Sequence, residues 1–211
     1  MKWIHSVGLL LLMSLFDACT PDLDQNHIFY LHGRIVEEQG KNAVHEEYGA
    51  YQYDQIIDSL KQLGKVHNEV RTTDTDFYEF AEKISGEINE LIAAGVPELK
   101  ITVVGASKGA VMAMYISHIN ESNIKYVLLG ANNDALEQQY DWRLHGYVLG
   151  IYDITDEVAG KPYRYWKSRS YEAQRFQQIK LETGLGHGFL YQPLKEWLEP
   201  AEKWVTLFNQ D

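Results

Sequence analysis

Leu99-Lys100-Ile101-Thr102-Val103-Val104 runs straight into Gly105-Ala106-Ser107-Lys108-Gly109-Ala110, and the reading of these twelve residues decides the fold. The first six form an apolar run of strand length, and the stretch from Ser107 to His118 has the apolar content of a buried helix. A serine at the sharp turn between a strand and a helix is driven into a strained backbone conformation that lifts its hydroxyl above the sheet. Neighbouring chain then crowds the positions two before and two after the serine, where glycine fits because it lacks a Cβ. Gly105 and Gly109 stand at those positions, and Ala106 and Ala110 keep the strand and helix close. G-x-S-x-G by itself arises often by chance. The strand before it and the helix after it make Ser107 a candidate nucleophile.

Outward from this turn the same alternation repeats. Strands are predicted over His27–Leu31, Lys65–Val70, Lys125–Leu129 and Tyr147–Tyr152, with a weaker one at Gln177–Leu181. Helical spacing is carried by Ile56, Ile57, Leu60 and Leu63 in Tyr51–Leu63, and by Phe77, Phe80, Ile84, Ile88, Leu91 and Ile92 in Asp76–Ala94, which Gly95 and Pro97 stop. A closing helix over Leu194–Phe208 carries Trp197, Trp204 and Leu207. Strands alternating with helices predict a mostly parallel sheet covered on both faces, one α/β domain over residues 27–211. That pattern suits a dinucleotide-binding or a flavodoxin-like domain equally well, so function has to be read from side chains. No phosphate-cradling G-x-G-x-x-G follows the first strand, which leaves a nucleotide cofactor unsupported, and no cofactor is expected.

Three further motifs flank the serine turn in order: Tyr30-Leu31-His32-Gly33, Tyr152-Asp153-Ile154-Thr155-Asp156-Glu157-Val158, and Gly184-Leu185-Gly186-His187-Gly188-Phe189. Together with Gly105–Gly109 they resemble the α/β-hydrolase superfamily across nearly all of the chain after residue 26. The resemblance implies a three-layer α/β-hydrolase fold with Ser107, Asp156 and His187 as a catalytic triad. It also implies an oxyanion hole built from the backbone N–H groups of Arg34 and Lys108. Aligning the family's valine with Val158 selects Asp156 as the acid. Asp153 replaces the family's usual glycine three residues earlier and stands as the alternative acid. The activity implied is that of a serine hydrolase cleaving a carboxylic ester or thioester through an acyl-enzyme. An acyltransferase with the same triad, and a non-catalytic binding module on the same fold, are the competing readings.

Two connections shape the expected site. The segment from Asn132 to Tyr147 holds no more than a short helix, which predicts a minimal, lidless enzyme. The longer Arg34–Gly49 loop is a candidate binding loop or a solvated surface loop. His32, Gly33, Tyr48 and Tyr51 are the candidate substrate-binding residues, with Arg34 and Lys108 offering charge to an anionic substrate. His27, His45, His67, His118 and His145 have no motif around them and read as structural or solvated. No metal site is expected: no H-E-x-x-H spacing occurs, and Cys19 is the single cysteine.

The first residues carry a different message. Lys2 precedes the apolar run Val7–Phe16, which is too short to span a bilayer and has the length of a signal-peptide core. Leu15-Phe16-Asp17-Ala18-Cys19 resembles a bacterial lipobox. The expectation is a signal peptide over 1–18, lipidation at Cys19, and a polar tether over 19–26. The alternative is a simple secretory signal with an incidental cysteine. A formal net charge of −11 argues against nucleic-acid partners and against electrostatic docking on anionic lipid, so any membrane contact falls to the anchor.

Overall fold

The structure, a computed structural model, describes residues 21–207; the expected signal peptide, Cys19 and the last four residues lie outside the described residues. Fifteen α-helices and β-strands follow in chain order, with short 3-10 helices at Glu98–Lys100 and Gly186–Leu190. They are β1 (His27–Leu31), α1 (Arg34–Gln39), β2 (Val44–His45), β3 (Gly49–Ala50), α2 (Tyr53–Lys61), β4 (Lys65–Asn68), α3 (Phe77–Ala93), β5 (Ile101–Ala106), α4 (Lys108–Ile119), β6 (Lys125–Leu129), α5 (Asp134–Gln139), β7 (Tyr147–Asp153), α6 (Arg164–Arg169), β8 (Arg175–Leu181) and α7 (Lys195–Val205). Six strands form one sheet in the order β4-β1-β5-β6-β7-β8, and every pairing is parallel.

The strands alternate their loads. On β1, Phe29 and Leu31 join one buried cluster with Phe80, Ile84 and Ile88 of α3 and Met112 and Ile116 of α4. Ile28 and Tyr30 join the other, with Ile56 and Leu60 of α2 and Trp197 and Trp204 of α7. This period-two division puts helices on both faces and makes three layers. Local chemistry fixes the ends: Asp76 accepts the N–H groups of Tyr78 and Glu79, both at 2.9 Å, and so caps α3. The strand order reverses between β1 and β5, since β4 lies outside β1 while the chain returns to β5 on its other side. Crevices for ligands open at the carboxyl ends of strands at such a reversal.

The structure adds elements that periodicity did not reveal. The Arg34–Gly49 segment is not an open loop; it contains α1 and the two-stranded β2–β3 hairpin. Helix α6 is also new, seated by the buried Trp166. β4 stops at Asn68, β8 begins at Arg175, and α2 begins at Tyr53. The connection between β6 and β7 holds one six-residue helix, α5. Asn26, at the end of the expected tether, is bound to the domain, donating to Leu63 O at 3.0 Å and accepting from Lys65 N at 2.8 Å.

Candidate active site

Ser107 sits between β5 and α4 at φ 53° and ψ −120°, and among the described residues it is the only non-glycine with positive φ. Such a conformation costs about 1–3 kcal/mol and persists only where the surroundings over-determine it. Here they do. Ser107 N donates to Leu129 O at 2.9 Å, and Ser107 O accepts from Ala110 N and Val111 N. A Cβ on Gly109 would lie 1.9 Å from Leu31 O, and one on Gly105 would lie 2.4 Å from Gly109 O. The turn closes this tightly only because both residues lack a side chain.

The hydroxyl so raised meets an imidazole. His187 Nε2 lies 2.9 Å from Ser107 Oγ, and His187 Nδ1 lies 2.7 Å from Asp156 Oδ2. A serine hydroxyl donating to Nε2 requires Nδ1 to carry the proton, which Asp156 accepts. Asp156 is buried, and its other oxygen accepts from Val158 N at 2.8 Å and Ala159 N at 3.0 Å. Asp153 has separate work. One of its oxygens accepts from Thr155 N and Oγ1, the other from Thr183 N and Oγ1, at 2.6–2.8 Å. Burial acts to raise its pKa, but the hydrogen bonds from Thr183 and Thr155 outweigh it and hold the carboxyl below its ordinary value. Asp153 thus ties the end of β7 to the segment after β8, while Asp156 alone reaches the imidazole.

The N–H groups of Arg34 and Lys108 open α1 and α4, where helix geometry offers no internal acceptor, and neither has an acceptor among the described residues. Gly33 lies against the serine: a Cβ there would come within 3.3 Å of Ser107 Cβ. The cleft around Ser107 has a volume of about 580 Å³; Gly33, Arg34, Tyr48, Tyr51, Ser107, Lys108 and His187 all line it, as do Phe77, Leu136 and Tyr140. Tyr51 contributes its ring alone, because its hydroxyl is bonded to Tyr30 at 2.6 Å in the interior.

His32 corrects the expectation. It is fully buried and does not line the cleft. Its Nδ1 lies 2.9 Å from Gly33 O, and its Nε2 accepts from Arg71 N at 2.8 Å. Burial, and then the Arg71 charge, lower its pKa to about 4. Lys108 is likewise committed: its ammonium lies 2.5 Å from Glu37 Oε2, while Glu37 Oε1 accepts from Arg71 Nε at 3.0 Å. Arg71 Nη2 in turn donates to His32 O. Glu37 and Arg71 had no sequence signal; they are paired across 34 residues and both are buried. They fasten the His32-Gly33 turn to the head of α4, which fixes the two free N–H groups relative to each other. Of the two cleft cations, Arg34 alone makes no ion pair among the described residues.

A six-stranded parallel sheet, a serine elbow after β5 and an acid and a histidine after β7 and β8 make this an α/β-hydrolase fold. No protein-family model matches the sequence, and no curated protein matches it. Solved structures do. Esterase Pf2001 from Pyrococcus furiosus matches with a TM-score of 0.57 at 12% identity, covering 88% of this chain and 84% of that one. SOBER1 from Arabidopsis thaliana matches with a TM-score of 0.54 at 14% identity, covering 86% and 97%. Mouse alpha/beta hydrolase domain-containing protein 10 matches with a TM-score of 0.53 at 11% identity, covering 83% and 86%.

Proposed function

We propose that this chain is a serine hydrolase that cleaves a small or sterically open carboxylic ester or thioester through an acyl-enzyme. The observation that carries the reading is the unbroken hydrogen-bond chain Ser107–His187–Asp156 on a serine held at φ 53°. Ser107 Oγ attacks the acyl carbon as His187 Nε2 takes its proton, and Asp156 holds the tautomer and stabilises the imidazolium. The N–H groups of Arg34 and Lys108 receive the oxyanion; losing one such donor typically costs roughly 100- to 1000-fold in rate. Collapse breaks the bond to the leaving group, which departs with the proton from His187. Water then attacks the acyl carbon, passing a proton to His187, and Ser107 leaves with that proton as the acid is released. The β6–β7 connection beside the cleft holds only the six-residue α5, and a cleft so little covered suits short or exposed acyl groups over long triglycerides. An esterase among the fold neighbours supports the same chemistry.

A fluorophosphonate probe tests this directly. The purified protein should be labelled and Ser107→Ala should not. A folded, unlabelled wild type would favour the non-catalytic binding module. Turnover of short acyl esters and thioesters in water, against acyl transfer to added alcohols, separates hydrolase from acyltransferase. From sequence alone we also propose export and lipidation at Cys19; Cys19→Ser should then move the protein from the membrane to the soluble fraction.

A further inference from the structure

His187 lies in a short 3-10 turn, Gly186–Leu190, that Phe189 and Leu190 pin to the core from its C-terminal side. On one side Gly186 N donates to Thr155 Oγ1 at 3.1 Å, which links the loop to the Asp153 hydrogen bonds. On its inner side lies the main cleft, and beside it a second hollow of about 480 Å³ bordered by Thr155, Glu157, Gly184 and Leu185. Tyr48 lines both spaces and stands between them. Its ring seats on the loop backbone: a Cβ on Gly188 would lie 3.0 Å from Tyr48 Cδ1, 3.1 Å from its Cβ and 3.2 Å from its Cγ. A Cβ on Gly186 would lie 3.8 Å from Tyr48 Cε1. Gly188 is not among the positive-φ glycines, so its backbone gives no reason to exclude alanine. The seat of the tyrosine ring does.

Tyr48 is itself held in place. His45 stacks on it with centroids 4.4 Å apart and planes at 12°, and Tyr191 meets it edge-on at 5.4 Å. The His45 Nδ1 lies 3.2 Å from Glu47 N and 3.4 Å from Tyr48 N, accepting in the turn that presents the ring. The β2–β3 hairpin is anchored beyond that turn by Tyr51 N to Ala43 O at 2.8 Å and Gln52 N to Tyr191 O at 2.7 Å. The tyrosine therefore arrives at the loop from a braced hairpin.

We propose that Tyr48 is a positioning residue for His187: its ring, seated on Gly188 and Gly186, fixes the loop so that the imidazole spans Ser107 and Asp156. This rests on the reading of those three residues as the catalytic machinery. The atoms that meet the two glycines belong to the ring and its Cβ, not to the hydroxyl. A displacement of about 1 Å at a catalytic group can cost on the order of 100-fold in rate, so the effect falls on kcat.

The test uses the full-length protein, a short-chain ester, fluorophosphonate labelling and the proton resonance of the His187–Asp156 hydrogen bond. Tyr48→Ala should lower kcat roughly 10- to 100-fold, beyond any change in KM that follows from its place in the cleft wall, and the conservative Tyr48→Phe should rescue most of that loss. Tyr48→Ala should also lose or broaden the hydrogen-bonded proton signal, which Tyr48→Phe keeps. Gly188→Ala alone should impair kcat, and the Tyr48→Ala/Gly188→Ala pair should be no worse than Tyr48→Ala, because the clash is gone. Multiplicative losses in the pair, a Tyr48→Ala effect confined to KM, or an unchanged proton signal would overturn the proposal. A folded wild type that neither labels nor turns over ester would instead sink the catalytic reading, and this one with it. Should Tyr48→Ala fail to fold, Tyr48→Leu carries the same comparison.

Discussion

Ser107 shows how far single residues can be read. Its two glycines have a steric cause that the sequence states openly, and the structure gives that cause a size. Gly109→Ala would drive a methyl group to 1.9 Å from Leu31 O, so we expect loss of soluble protein or of all fluorophosphonate labelling, scored on the same gel. The acid was less legible, because Asp153 and Asp156 share one short loop and only three-dimensional hydrogen bonding separates them. Asp156→Asn should lower kcat by roughly 10⁴-fold with little change in Tm, as expected when an acid that fixes the tautomer is lost. Asp153→Asn should do the reverse, lowering Tm more than kcat, since it weakens the four hydrogen bonds that Asp153 accepts, two from Thr155 and two from Thr183 beyond β8. A larger kcat loss for Asp153→Asn would exchange the two roles. His32 misled for a different reason: strand-end histidine signals position, and nothing in a sequence says which way an imidazole turns.

Among elements, the central strands were legible because both faces are covered and the residues run apolar without interruption, as in Tyr126–Leu129 and Tyr147–Tyr152. The β2–β3 hairpin was not, since strands of two residues have no measurable period. Neither was the ion cluster that joins α1 to α4, whose partners Glu37, Arg71 and Lys108 meet only after folding. Breaking a buried ion pair costs about 3–5 kcal/mol, and loss of Arg71 leaves the buried Glu37 carboxylate with Lys108 as its one remaining cation. Arg71→Met should therefore lower Tm on the order of 10 °C in thermal denaturation. Arg71→Met/Glu37→Met should lower it by less than the sum of the single changes, because the second change removes the carboxylate that has lost one of its two cations. Additive losses would mean that the two side chains act independently.

At the scale of the whole molecule, two buried histidines bracket β1. His27 begins the strand, its Nδ1 lying 3.0 Å from His67 Nε2, and His32 follows the strand's end. Burial lowers all three pKa values, His32 and His67 to about 4. Each is therefore less basic folded than unfolded, so the unfolded chain binds more protons between about pH 6.5 and 4. Stability is full above that window and falls as pH drops through it, by about 3 kcal/mol from His32 alone. Thermal melts at pH 7.5, 5.5 and 4.5 should show a progressive drop in Tm, shallower in His32→Gln; a flat profile would contradict the assignment. The six-stranded sheet is parallel throughout. All its strands point the same way, so the chain enters at the amino edge beneath His27, while Ser107 and His187 lie beyond the carboxyl edge. Grafted to a bead or a sensor chip through a linker ahead of His27, the protein would hold its mouth toward the liquid and work at the speed of the free enzyme. Grafted through Val158 or Leu185, exposed beside that mouth, it would be stoppered by its own support.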